Sequence, residues 1–335
     1  MRTDDFKVDP WRVVERSFPA GRDKARKLSF LLRYAILAPS SHNTQPWKFE
    51  IHEDAVWVYA NLERWLKVAD ADKRELYTSI GCALENLIVA AEHYGYGASV
   101  AYFPERPKRR IVAEVRLLPD GRPSPFRGPE LFDAMTTRHT NHKRYEPRDI
   151  SVDDRLRLQA CLVEDGISLY LIDDLERRRA VDKLVNRADA VLFADPEFRR
   201  ELGYWIGQGV FGAPWLIGKL SQLAVSYLDL GDWVGKSDAD LLMSAPVLGL
   251  ICSKENDRET QVKVGQAFER IYLKAASLGI SLQPMSQLTE VPEIKSELAK
   301  VIVVGDEFLQ QPFRLGYAEP ERQHTPRRPV EEAMM

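Results

Sequence analysis

The amino-acid sequence predicts a mixed helix-and-sheet fold, of α/β or α+β class, made of two related halves. Segments with helical period alternate with segments of strand period along the chain. One long helical segment recurs: GCALENLIVAAEHYG, starting at Gly81, has a counterpart in GQAFERIYLKAASLG, starting at Gly265. Between them lies PDGRPSPFRGPE (Pro119–Glu130), the clearest linker in the chain, where proline and glycine deny both helix and strand.

The elements follow in order. Lys24–Leu37 carries helical spacing and is stopped by Pro39. Trp47–His52 and Ala55–Ala60 alternate as strands, and Glu53-Asp54 between them makes a hairpin turn. Leu76–Tyr94 is a long helix ended by Gly95, and Arg109–Leu118 is a strand. Beyond the linker, Ser151–Leu162 and Leu175–Phe193 read as helices on either side of the strand Ile167–Ile172. Pro246–Cys252 reads as another strand and Glu259–Leu278 as the second long helix.

Aligned without gaps, the two long helices share Gly81/Gly265, Ala83/Ala267, Glu85/Glu269, Ala91/Ala275 and Gly95/Gly279. In the second copy Val264, Ala267, Phe268, Ile271, Ala275 and Leu278 recur at helical spacing. Any two amphipathic helices look somewhat alike. Here each copy also ends at glycine and runs into an extended stretch, GYGASVAYF or GISLQPMSQ, which favours duplication.

Composition excludes several classes. The chain has 335 residues, enough for about two domains. Hydrophobic residues make up 44% and charged residues 29%, ordinary for a globular protein. Forty-seven Lys+Arg against 50 Asp+Glu leave a net charge of −3, so no global basic footprint exists for nucleic acid or an anionic membrane. Cys82, Cys161 and Cys252 are odd in number and far apart, which argues against a disulfide framework. MRTDDFKVDPWR places acids where a secretory signal needs a basic cluster, and Leu241–Cys252 is too short to span a bilayer. A soluble, cytoplasmic protein with no membrane partner is expected.

The strongest local signal is APSSHNTQPWKF, Ala38–Phe49. A helix ends at Pro39, a Ser-Ser-His-Asn loop presents donors and acceptors, and Gln45-Pro46-Trp47 leads into a strand. On chemistry alone Ser40, Ser41 and Asn43 read first as turn residues, with ligand binding as the alternative. The segment resembles the signature loop of the nitroreductase-like flavoproteins, Ala-Pro-Ser-x-x-Asn-x-Gln-Pro-Trp, which contacts FMN. Three further segments resemble the same family in its order. They are Thr136–Pro147, like its Arg-[Arg/His]-[Ser/Thr]-x-[Lys/Arg] element; Leu278–Gln287, like the stretch beside the flavin ring; and FRLGYA with TPRRPVEEAMM, like its last strand and basic tail.

The resemblance implies an α+β nitroreductase-like fold, with two pseudo-symmetric halves fused in one chain as an internal pseudo-dimer. Residues 1–118 form the first half, 119–130 the linker and 131–335 the second half. It also implies an FMN site. The phosphate calls for Arg138, His142 or Lys143, Arg327 and Arg328. Ribityl hydroxyls and pyrimidine carbonyls call for His139, Thr140, Ser40, Ser41 and Asn43, and Pro39 and Gln45 of the same loop are further cofactor-binding candidates. The ring calls for Gln283, Pro284, Met285 and Ser286. Two departures stand out: Ser286-Gln287 replaces the usual Glu-Gly, and His142 stands where Lys or Arg is common.

In homodimeric members of that family one subunit supplies the Arg element, the ring segment and the tail, and the other supplies the loop. Here the first three lie in the second half and the loop in the first, so one chain is expected to build one site. The second half has no PSSHN counterpart, which predicts one FMN per chain and no need of a partner subunit. Such duplicated chains resemble the Acg-like branch of the family. Residues 195–245 match weakly and hold Tyr204, Trp205, Phe211, Trp215, Tyr227 and Trp233. They read as a lid over the flavin or as a helical hairpin core.

Other motifs are weaker. Gly207-x-Gly209-x-x-Gly212 has the form of a dinucleotide fingerprint, but RRELGYWI before it is helix-like and Pro214 follows. His139 and His142 lack the further ligands a metal needs, and Lys143 and Arg144 would repel a cation. No hydrolase or nucleotide-triphosphatase motif is present.

The resemblance implies an oxidoreductase in which FMN carries the chemistry, without a catalytic side chain. NAD(P)H would be the electron donor, and nitroaromatic or quinone-like small molecules the acceptors. The alternatives are flavin storage under a closed lid, and a specialised oxidation on the same scaffold.

Overall fold

The computed structural model describes residues 9–104, 111–119, 121–212, 226, 240–321 and 323–335. Helix α1 spans Lys24–Ala35, and its first turn is capped by Asp23, which accepts from the Arg26 N–H at 2.9 Å. Strands β1 (Trp47–His52) and β2 (Ala55–Ala60) form the hairpin over the residues whose alternation predicts it. Helix α2 (Arg74–His93) is the first long helix. Asp70 caps it by accepting from the N–H groups of Glu75 and Leu76 at 2.9 and 2.8 Å. After Gly95, at φ 82°, come β3 (Gly97–Tyr102) and β4 (Ile111–Leu118).

Helices α3 (Pro129–Ala134) and α4 (Val152–Gln159) lead to β5 (Ile167–Ile172). Helices α5 (Leu175–Ala194) and α6 (Pro196–Gly207) follow. Then come β6 (Val247–Ser253), the second long helix α7 (Arg258–Ser277) and β7 (Ser281–Pro284). The short α8 (Gln287–Glu290), α9 (Pro292–Ile302), β8 (Phe308–Gly316) and α10 (Val330–Ala333) complete the chain.

Four-stranded antiparallel sheets run β1-β2-β4-β3 in one half and β5-β6-β8-β7 in the other. The order is the same, and so is the place of the long helix, between the second and third strands of each. Both sheets carry a register shift in the same ladder, between Val58 and Tyr59 and between Ile251 and Cys252. The offset that pairs Gly81 with Gly265 also pairs Arg74 with Arg258, the first residues of the two helices, and Gly97 with Ser281, the first residues of β3 and β7. The fold is α+β, two pseudo-symmetric halves in one chain.

The halves meet where α2 crosses α7. A Cβ on Gly81 would lie 2.0 Å from the Val262 carbonyl oxygen, and one on Gly265 would lie 2.0 Å from that of Thr78. The two contacts are equivalent under the repeat, so a pseudo-twofold axis passes between the glycines. A single apolar core runs through both halves, from Leu31, Trp47 and Leu84 to Phe268, Ile271 and Leu315.

Two departures from symmetry matter for the site. The two-residue hairpin of the first half becomes residues 173–246 in the second, and α5 and α6 lie in that excursion. Its start lies upstream of the aromatic-rich stretch 195–245, because α5 packs on α8 and α9 as core. The C-terminal tail crosses to the first sheet, where Phe49 bridges to Met334 and its carbonyl accepts from the Met335 N–H at 2.9 Å.

Candidate functional site

A cavity of about 550 Å³ opens between the halves, within the usual range for a small-molecule site. Its walls are the loop 39–43, one face of α2, the segment 138–142, Pro284–Gln287, and the tail near Arg327. Phe193, Phe198, Leu202 and Phe211 roof it from the excursion between β5 and β6.

The loop is built under strain. His42, Asn43 and Gln45 lie at φ 48°, 52° and 51°, left-handed values that side chains other than glycine adopt only when held. Hydrogen bonds hold them. Gln45 N–H donates to Ser40 Oγ at 2.9 Å, and the Asn43 amide donates to the carbonyls of Val210 and Pro326 at 2.7 and 2.9 Å. Asn43 Oδ1 accepts from Arg327 at 2.8 Å, and Gln45 Oε1 accepts from the Arg328 N–H at 2.8 Å. The loop of the first half and the tail of the second are one hydrogen-bonded unit.

One end of the cavity is basic. Arg138 is buried, donates to the Leu37 carbonyl at 3.1 Å, and has Nε 3.7 Å from Glu269 Oε1. Arg327 donates to the same carbonyl through Nη2 at 3.2 Å. Burial and the Arg138 charge push Arg327 down to about 9 against the pull of Glu269. Three rings stack beside them: Trp11 on His324 at 3.9 Å, and His324 on His139 at 3.7 Å. Trp11 also donates from Nε1 to the Thr325 carbonyl at 2.9 Å. Burial, then His139 and the two arginines, lower His324 to about 4. Among the described residues, Arg138 Nε, His139 Nε2, His324 Nδ1 and His42 Nδ1 are buried with no hydrogen-bond partner. All four residues line the cavity.

The opposite end is acidic. Glu75, at the start of α2, accepts from Arg74 at 2.8 Å and from the Ser41 hydroxyl. Cys82, near the Arg138 charge, lies roughly 10 Å further along the same helix. Glu290 also lines this wall, and burial together with Glu75 raises its carboxyl well above the ordinary range. The cavity therefore has an anion-binding end and a carboxyl end, joined by the small side chains Thr78, Ser79 and Cys82.

Of the residues read from sequence, Pro39, Ser40, Ser41, Asn43, Arg138, His139, Thr140, His142, Pro284, Ser286 and Arg327 line this cavity. Gln45 and Arg328 stand behind it, joining loop to tail. Gln283 also stands behind, its amide 3.0 Å from His142 Nδ1 and its carbonyl accepting from Arg314 at 2.7 Å. Met285 is in the second-half core, and Lys143 faces away, donating to the Pro320 carbonyl at 3.0 Å. Of the aromatic stretch, Phe211 lines the cavity, Trp205 packs with Leu66 and Phe198, and Tyr204 is exposed. Trp215, Tyr227 and Trp233 lie outside the described residues. Gly207 closes α6 and no strand precedes it, so the dinucleotide pattern has no strand–turn–helix behind it.

Sequence reasoning missed Trp11, Glu75, Cys82, Glu290 and His324. Only His324 had a usable signal, its place beside the basic tail.

The repeat allows the opposite face of the helix pair to be compared. The counterparts of Cys82 and Ser286 are Gln266 and Tyr102, and these two side chains bond each other at 2.5 Å. Gln266 also donates to Glu85 at 3.1 Å. Arg270 and Arg127 bind Glu85 at 2.9 and 2.6 Å. Burial alone would raise the Glu85 carboxyl, but the two arginines hold it down at about 2. Where one face holds a cavity, the other holds a filled ionic network.

Among the described residues no group of three or more His, Cys, Asp or Glu could hold a metal ion. Nor is any helix there long and apolar enough to cross a membrane.

No family model matches the chain. Sequence relatives include a Mycobacterium tuberculosis protein provisionally named NAD(P)H nitroreductase, 26% identical over 307 residues, which are 88% of this chain and 86% of that one. A second from the same organism, given the same provisional name with the designation acg, is 24% identical over 320 residues, 90% and 93% of the two chains. Among solved structures, the FMN-dependent nitroreductase NfnB from Mycobacterium smegmatis, in complex with NADPH, superposes with a TM-score of 0.41. It is 13% identical and covers 61% of this chain and 96% of its own. The family that this chain resembles, over nearly its whole length, is thus the nitroreductase-like one.

Proposed function

We propose that this chain is an FMN-dependent oxidoreductase that passes two electrons from NAD(P)H to nitroaromatic or quinone-like acceptors. The observation that carries it is the cavity, where both halves, the strained loop and the tail converge. Its buried nitrogens that make no hydrogen bond among the described residues, on Arg138, His139, His324 and His42, suit a ligand that carries a phosphate together with hydroxyl groups. Bound FMN supplies hydride chemistry that no side chain here supplies.

The chain's own residues bind and orient. Arg138 and Arg327 would hold the phosphate, with His139 and His142 beside it. Ser40, Ser41, Asn43 and Thr140 would meet the ribityl chain and the pyrimidine edge. Pro284 and Ser286 would lie along the ring, with Gln283 and Arg314 fixing His142 from behind. The phenylalanines of the roof would keep water from the ring. On this reading residues 1–118 and 131–335 are two diverged copies of one unit, 119–130 joins them, and a single chain in the cytoplasm suffices. The network around Glu85 favours one FMN per chain.

A second reading has support of its own. The roof is latched to the first half, since the Glu201 carboxylate on α6 accepts from the N–H groups of Lys67, Val68 and Ala69 at 2.6–3.2 Å. A roof that stays closed would make the protein a flavin store.

The test is the visible spectrum of the purified protein, titrated anaerobically with NADPH and NADH. Bleaching that a quinone or nitroaromatic reverses, with one FMN per chain, is the expected result. A yellow protein inert to both nicotinamides supports storage, and a colourless one that takes up no FMN ends both readings.

A further inference from the structure

Glu290 lines the cavity, and the functional reading leaves it without a task. It ends α8, and its N–H donates to the Ser286 carbonyl at 3.1 Å, so it stands one turn beyond the Pro284–Ser286 wall. Its side chain opens into the cavity and makes no hydrogen bond or ion pair among the described residues. Its neighbours are largely acidic: Glu75 and Asp70 at the entry to α2, and Asp189 on α5. Arg74 opposes them but is bound to Glu75, Thr289 and the Gln310 carbonyl. Lys295 on α9 faces Asp72, Glu75 and Asp70. Enclosure and these negative neighbours keep the Glu290 carboxyl protonated well above the ordinary range. A neutral carboxylic acid that faces a reaction space is a proton donor.

We propose that Glu290 is the general acid of the reduction, protonating the acceptor as it takes up hydride. The proposal rests on the oxidoreductase reading above. A quinone-like acceptor gains a hydride, and thus two electrons, from the reduced cofactor. Its remaining oxyanion takes the proton: the O–H bond of Glu290 breaks, an O–H bond forms on the acceptor, and hydroquinone and a carboxylate remain. NAD(P)H restores the electrons, and solvent restores the proton. Glu75 cannot take this role, because its oxygens already accept from Arg74 and Ser41.

The test separates the two half-reactions by stopped flow in wild type, Glu290→Gln and Glu290→Asp. FMN affinity and the rate of bleaching by NAD(P)H are expected to be equal in all three. Reoxidation by a quinone is expected to fall about a hundredfold in Glu290→Gln, the low end of what a general acid contributes, and to recover in part in Glu290→Asp. The wild-type reoxidation rate is expected to fall as pH rises through the Glu290 titration, and the Gln variant to show no such limb. Glu290→Gln is also expected to melt close to wild type, since a neutral amide replaces a neutral acid among the same acidic neighbours. Reoxidation of Glu290→Gln at the wild-type rate, with the wild-type pH profile, overturns the proposal and leaves the oxidoreductase reading intact. A wild type that binds no FMN, or is not bleached, removes that reading and the acid's role together.

Discussion

Asn43 commits both ends of its amide to the protein: its nitrogen to the Val210 and Pro326 carbonyls and its oxygen to Arg327. A residue read from sequence as a ligand contact thus also fastens loop, tail and roof at one point. Trp11 acts similarly at the basic end, where its ring lies 3.9 Å from His324 and 4.7 Å from the Arg327 guanidinium carbon. Stacked pairs of this kind contribute about 0.5–1.5 kcal/mol beyond their buried area. Trp11→Ala is therefore expected to speed FMN release about two- to tenfold while leaving the fold intact. Release measured by the return of flavin fluorescence checks this; an unchanged rate would mean that Trp11 only covers the surface.

The crossing of α2 and α7 is the element on which both halves depend. Because a Cβ at Gly81 or Gly265 would meet a carbonyl oxygen of the facing helix, Gly81→Ala and Gly265→Ala must each push the helices apart. Overpacking of this sort costs about 1–3 kcal/mol. The same displacement moves Cys82 and Thr78 against Arg138 and Ser286, so loss of stability and loss of FMN binding should appear together. Chemical denaturation and flavin titration of each variant measure the two. The α6 latch makes a separate prediction. Glu201→Ala strips three backbone N–H groups of a charged acceptor, and bonds to charged groups contribute about 1.5–3 kcal/mol each. Under the oxidoreductase reading, faster acceptor turnover with a lower melting temperature is expected. Unchanged turnover would show that the roof does not gate the cavity.

At the scale of the molecule, one duplicated glutamate has taken two opposite environments. Glu85 is held at about 2 by Arg270 and Arg127, below its ordinary 4.5, so its stabilisation is full above pH 4.5 and drains as pH falls towards 2. Glu269 is held up to about 8, burial outweighing Arg138 and Arg327. Its contribution is full below pH 4.5 and drains as pH rises towards 8. Without cofactor, stability is expected to fall on both sides of a middle range. Glu269→Gln should flatten the alkaline side and leave the acid side unchanged. Arg127→Ala, which strands part of a buried ion pair, should cost about 3–5 kcal/mol near neutrality. Melting curves from pH 3 to 9 test all three expectations; an alkaline limb that persists in Glu269→Gln would assign it to another group.

Much of this was legible in the residues themselves. Alternation set the β1–β2 hairpin at Trp47–His52 and Ala55–Ala60, because period and turn chemistry are local. The glycines at 81 and 265 and the glutamates at 85 and 269 exposed the duplication, because a repeated unit keeps the residues that its own packing demands. Resemblance added the loop, the arginine element and the tail, which come together at one cavity. Other features are not properties of any segment. Glu290 is an ordinary end-of-helix glutamate until Asp70, Glu75 and Asp189 arrive from two other elements. Trp11 is a terminal aromatic until His324 and His139 stack beneath it. Glu85 and Glu269 are identical in sequence, and only the partners each meets in the folded chain decide that one seals a network and the other stands behind the Arg138 that lines a cavity. Local pattern determined that there are two like halves, and three-dimensional contact decided how they differ, because burial and charge depend on neighbours far away in the chain.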